Sequence, residues 1–91
     1  MRWVELDVRS GERVRGRLVE VDGDDFDWYI VDEANLVRAT SRDDFRPVRE
    51  GEGVPATTVR WKVSKDGPWF LLLDLYGRSN PRRIEVDLRR F

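Results

Sequence analysis

A chain of 91 residues holds one domain, and 40% apolar against 38% charged residues leave it a small core beneath a surface crowded with both signs. Cysteine and histidine are absent, which removes disulfide bracing, the usual zinc ligands, the commonest general base and the most reactive nucleophile. A net charge of −1 gives no global field toward nucleic acid, and no apolar run approaches membrane-spanning length.

The first strand is expected over residues 2–8, with Val4, Leu6 and Val8 on one face and Trp3, Glu5 and Asp7 on the other. Gly11 reads as the tip of a hairpin leading to a second strand over residues 13–22. There Val14 and Leu18 share a parity that Val19 and Val21 abandon. Gly16 lies just before the switch, so a bend or bulge is expected at that glycine. Asp22-Gly23-Asp24-Asp25 forms the next turn. Residues 26–32 are apolar on both faces, as in a strand in the middle of a closed or layered sheet. After a turn at Glu33-Ala34-Asn35, a fourth strand is read over residues 36–40. A single helical turn capped by Ser41 follows over 41–44, then a short fifth strand over 45–48, kept near an edge by Pro47.

Residues 50–56 read as a linker-like loop. Beyond it Val59, Trp61 and Val63 alternate with Thr58, Arg60, Lys62 and Ser64, and Lys65-Asp66-Gly67-Pro68 reads as a hairpin turn. Residues 69–76 form another two-sided apolar strand and residues 77–81 a turn. Ile84, Val86 and Leu88 then alternate with Arg83, Glu85, Asp87 and Arg89. No stretch carries a helical period. The expected architecture is all-β with about eight strands: a barrel-like half over residues 1–49, the loop over 50–56, and a three-stranded β-meander over 57–91.

Val8, Gly11, Gly16, Leu18 and Asp22 stand at the spacings of the first motif of Sm-like proteins, and Val37-Arg38-Ala39 resembles a degraded second motif. The likeness covers roughly residues 3–48 and implies a small Sm/SH3-like barrel. Phe26 replaces the family's RNA-contacting asparagine, the N-terminal helix is missing, and Arg38 alone matches an RNA-contact position. Trp28-Tyr29-Ile30 is similar to the name-giving tripeptide of the WYL domain, itself an Sm-like barrel of bacterial regulators and defence systems. Leu36-Val37-Arg38 through Arg42-Asp43 and Phe45 resembles the arginine-bearing segment that follows it. This second resemblance implies ligand or nucleic-acid contacts at Arg38 and Arg42.

Asp22, Asp24, Asp25 and Asp27, with Glu33 farther on, have some of the spacing of a calcium loop. Phe26 takes a ligand position, however, Asp27 replaces the required glycine, and strands flank the segment, so a solvated turn is expected. Arg13, Arg15 and Arg17 alternate along one face. With Arg9 before them and Arg78, Arg82, Arg83, Arg89 and Arg90 later, they form a stripe suited to a phosphate backbone. The competing reading pairs them with Glu5, Asp7, Glu85 and Asp87 on neighbouring strands, and the near-zero net charge favours it. Fifteen arginines against two lysines follow equally from GC-rich coding or from the use of guanidinium forks.

Trp28, Trp61 and Trp69 occupy alternating apolar positions and belong in a core, whereas Trp3 lies on a polar face and is expected as an exposed contact. No serine stands in a nucleophile-elbow context and no acid pair stands out, so no enzyme is expected. The leading expectation is a cytoplasmic, non-enzymatic binding module acting through protein contacts or self-association, without cofactor, metal or membrane. Its contact residues would be Trp3, Arg13, Arg15, Arg17, Arg38 and Arg42, with Gly11, Gly16 and Asp22 structural. Nucleic-acid binding through the arginine stripe is the alternative, and a phage- or defence-related inhibitor is a third reading.

Overall fold

The computed structural model describes residues 2–75 and 83–91. In chain order its elements are β1 (Arg2–Leu6), β2 (Arg13–Glu20), β3 (Phe26–Asp32), α1 (Glu33–Thr40), β4 (Arg49–Val54), β5 (Ala56–Lys62), β6 (Trp69–Leu75) and β7 (Ile84–Arg90). Each alternating strand has an apolar face to bury, and two antiparallel sheets bury these faces against each other. One sheet runs β1-β6-β3-β4 and the other β5-β2-β7. Phe26, Trp28 and Ile30 of β3 and Trp69, Leu71 and Leu73 of β6 meet Val14, Leu18, Val59, Trp61 and Val63 in one core. Trp61 and Trp69 join the sheets edge to face, with ring centroids 4.8 Å apart. The Trp69 indole N–H donates to the Lys65 carbonyl at 3.0 Å, so this buried ring has its polar atom satisfied. Burying one such apolar side chain stabilises by about 1.5–3 kcal/mol.

The all-β class and the two-sided character of residues 26–32 are as expected: β3 lies between β6 and β4. Its outward residue Val31 is also fully buried, and Phe45 packs edge-on against outward Tyr29, centroids 5.1 Å apart. The topology differs from the expected one. The two sheets do not close into a barrel, and residues 57–91 form no meander, because β6 leaves β5 and inserts between β1 and β3. Lys65-Asp66-Gly67-Pro68 therefore connects two sheets and is no hairpin turn. The same holds for Gly11, at φ 89°: β1 pairs with β6, β2 pairs with β5 and β7, and no first hairpin exists.

The expected bend at Gly16 is also absent. The pairing of β2 runs without a register shift on both sides, and Val14, Gly16, Leu18 and Glu20 share the inward face. The apparent change of parity arises because a carboxylate takes an inward position. Glu20 is buried, and its Oε1 accepts from the Asp22 N–H at 2.5 Å and the Asp24 N–H at 3.3 Å, which ties down the turn opened by Asp22. Gly16 is a close-approach residue: a Cβ there would collide with the Asp87 carbonyl of β7. Among the described residues a register shift lies elsewhere, where β4 bulges opposite Asp27. Gly53 supplies the left-handed residue of the bulge at φ 63°, and its N–H donates to Asp27 Oδ1 at 2.8 Å.

Residues 36–40, expected as a strand, belong to α1, and Ser41 ends that helix where it was expected to begin one. Asp32 is the N-cap, accepting from the Asn35 backbone N–H at 3.0 Å and from its side-chain amide at 2.9 Å. Asn35 Oδ1 in turn accepts from the Arg46 N–H at 2.8 Å, which draws residues 43–47 across as irregular chain in place of a fifth strand. The strand forms one step later as β4, out of the segment expected to be a linker. Tyr76 and the turn expected over residues 77–81 lie outside the described residues.

Candidate functional site

On β2 Val14, Gly16, Leu18 and Glu20 face inward and Arg13, Arg15 and Arg17 point the other way, all exposed. Pairing decides what surrounds them. On one side Arg13 lies opposite Lys62, Arg15 opposite Arg60 and Arg17 opposite Thr58. On the other side Arg15 lies opposite Arg89, Arg17 opposite Asp87 and Val19 opposite Glu85. Among the described residues the outer face of the three-stranded sheet therefore carries Arg13, Arg15, Arg17, Arg60, Lys62 and Arg89 against Glu85 and Asp87. One row, Arg60–Arg15–Arg89, is cationic on all three strands. Arg49 reaches this side from β4, its Nε donating to the Arg60 carbonyl at 3.2 Å. Arg13, Arg15, Arg49, Arg60 and Lys62 line a recess of about 240 Å³.

Two of the acids expected to neutralise the stripe do pair with its later arginines, and none forms an ion pair with those of β2. Asp7 pairs with Arg90 at 3.1 Å, and Asp87 pairs with Arg89 at 3.6 Å. Glu5 lies on β1, in the other sheet. No ion pair within 4.0 Å reaches Arg13, Arg15, Arg17, Arg60 or Lys62 among the described residues. Two unit charges about 5 Å apart in water repel by roughly 0.8 kcal/mol, so like-charged cross-strand neighbours are a standing cost to the sheet.

The remaining candidates lie elsewhere. Trp3, 51% exposed, stands opposite Leu72 on the outer face of the four-stranded sheet. Arg38 is in the last turn of α1, and Arg42, at φ 59°, follows the helix; both are exposed beside that same sheet. Arg9 is exposed in the chain between the sheets. Arg83 precedes β7 and Arg90 is drawn to Asp7, while Arg78 and Arg82 fall outside the described residues. Arg60 and Lys62 were visible in the sequence as the polar partners of Val59 and Trp61. What sequence reading missed is that β5 lies beside β2, because 35 residues holding β3, α1 and β4 separate the two strands in the chain.

The outer face of the four-stranded sheet has the opposite character. Asp27 lies opposite Asp74 and Tyr29 opposite Glu50, and the Tyr29 hydroxyl donates to Glu52 Oε1 at 3.4 Å. Burial, then the neighbouring Asp27 and Glu52 charges, push the Tyr29 hydroxyl well above the usual tyrosine range. The residues of the supposed calcium loop do not form one loop: Asp27 lies within β3 and Glu33 begins α1 at its far end. Among the described residues no three acidic side chains are grouped to hold a metal ion, and no helix is long and apolar enough to cross a membrane. No protein family, curated protein or solved structure matches the chain.

Proposed function

We propose that this protein binds the phosphate backbone of nucleic acid across the outer face of β5-β2-β7. The observation behind this reading is the cross-strand placement of Arg60, Arg15 and Arg89 beside Lys62 and Arg13, with only one of the five in an ion pair. A polyanion laid over that face turns cation–cation repulsion into attraction and releases its own condensed counterions. Guanidinium forks suit phosphate oxygens, and this favours a face built mainly of arginine. The face is a three-stranded sheet without a protruding helix, so it contacts backbone and reads sequence weakly. Phe91, 70% exposed, exchanges backbone hydrogen bonds with Arg13 and stands at the border of the face as a stacking surface for an unpaired base.

Fluorescence polarisation with labelled single- and double-stranded oligonucleotides tests this reading. Binding at low salt should weaken steeply toward physiological salt, with a log–log slope of about −0.7 per phosphate contact on a single strand. Arg15→Glu combined with Arg17→Glu should abolish binding and leave the melting temperature near that of wild type. Unchanged affinity in that double variant would remove the stripe from consideration. No binding even at low salt would shift attention to protein contacts, for which exposed Trp3 on the opposite sheet is the anchor.

A further inference from the structure

Among the described residues the three-stranded sheet ends in an open edge at β7. Arg13 and Phe91 exchange both backbone hydrogen bonds, at 3.2 and 2.8 Å, and the Val21 N–H reaches the Arg83 carbonyl at 3.0 Å. Antiparallel alternation then turns the backbone groups of Glu85, Asp87 and Arg89 toward β2. Those of Ile84, Val86, Leu88 and Arg90 face the free edge. Apolar surface is exposed along the same border. Val86 is 40% exposed although it shares the inward face with Leu18, and Val4 on β1 is 46% exposed although it shares that of Leu71. The two sheets part between β1 and β7, leaving a recess of about 250 Å³ lined by Leu6, Val8, Val14 and Leu88. At one end the Arg90 guanidinium bridges the gap, donating to the Asp7 carbonyl at 2.7 Å.

We propose that a second copy of this chain covers this edge, its β7 pairing antiparallel with the first β7 about a two-fold axis through Leu88. The charges on β7 select both the occupant and the register. Centred on Leu88, the outer row sets Asp87 against Arg89 of the second copy, twice by symmetry. The outward-facing backbone groups of Val86, Leu88 and Arg90 then find Arg90, Leu88 and Val86. Centred on Val86, the same strands would set Glu85 against Asp87. Centred on Asp87 or on Arg89, they would set like charges face to face. The Leu88 register alone among these has no like-charged pair. It also brings the two parted seams together, covering Val4 and Val86 of both copies, and it joins the sheets into six strands. This pairing rests on the edge and its charges, independently of what the basic face binds.

The test is the oligomeric state of the full chain without nucleic acid, by sedimentation over a range of concentrations. Wild type should be a dimer that weakens with salt. Arg89→Asp and Asp87→Arg should each weaken dimerisation on the order of tenfold or more, and the two combined should restore it. Val86→Pro supplies a variant that leaves both charges in place: its N–H faces the free edge, so proline spares the ladder to β2 and should yield a folded monomer. A wild type that stays monomeric, single charge swaps that leave the dimer intact, or a double swap that fails to restore it would each overturn the proposal.

Discussion

Gly16 lies in the interior of β2, between β5 and β7. An interior glycine marks either a bend or a close backbone approach, and sequence does not distinguish the two. Here β7 passes so near that a Cβ would meet the Asp87 carbonyl. Gly16→Val should therefore cost about 2–3 kcal/mol, measured by urea or thermal unfolding. A wild-type melt would mean that β7 does not approach this closely. Glu20 shows the limit of parity reading: its carboxylate is buried to accept turn amides, a partnership the hydrophobic pattern does not reveal. Asp32 carries the residue-scale pH dependence. Its acceptance of the Asn35 backbone N–H, aided against burial by the Asn35 amide and Lys65, holds its carboxyl below the ordinary 3.8. A depressed folded value means that the contribution is present above the unfolded pKa and lost as pH falls through the folded one. Asp32→Ala should thus cost about 1 kcal/mol at pH 7, with the gap to wild type closing below about pH 4. A gap that stays constant with pH would show that the charge is not involved.

At the scale of elements, local signals named some strands and missed others for identifiable reasons. The run over β3 was legible because both of its faces are apolar, which only a central strand tolerates. Helix α1 was hidden by Val37 and Thr40, whose β-branched side chains suit a strand, although Asp32 before Glu33 is a helix-start signal that a capping search would have found. Strand pairing was the least legible feature. The β5–β2 contact joins strands separated by β3, α1 and β4, and no local pattern encodes it, yet this contact turns a stripe of three arginines into a cationic face. A consequence follows for Arg60, which lies on a different strand from the stripe. Arg60→Gln should lower affinity for oligonucleotides and reduce the magnitude of the salt slope by about 0.7, as removal of one phosphate contact does. An unchanged slope would confine binding to β2 and separate the stripe from the wider face.

For the whole molecule, a net charge of −1 conceals a separation of charge between two surfaces. The Cα trace extends only 17 Å along its shortest axis, close to what two packed sheets require, so the three-stranded sheet keeps its outer face and the four-stranded sheet the part left beside α1 and Phe45. One such face gathers Arg13, Arg15, Arg17, Arg60, Lys62 and Arg89. The other gathers Glu5, Asp27, Glu50 and Asp74, with Glu52 bonded to Tyr29 at its margin. Overall composition averages over both and so argued against a polyanion, although a ligand approaching within a Debye length of about 8–10 Å senses mainly the face in front of it. The protein should therefore be retained on a cation exchanger at pH 7 and low salt despite its net negative charge. Arg15→Glu with Arg17→Glu should elute it in the flow-through. Substituting two outer acids of the other sheet, Glu5→Gln with Glu50→Gln, changes the net charge by half as much and leaves the basic face intact. Retention that followed net charge through both variants, in place of the face that was changed, would show that the separation of charge has no effect in solution.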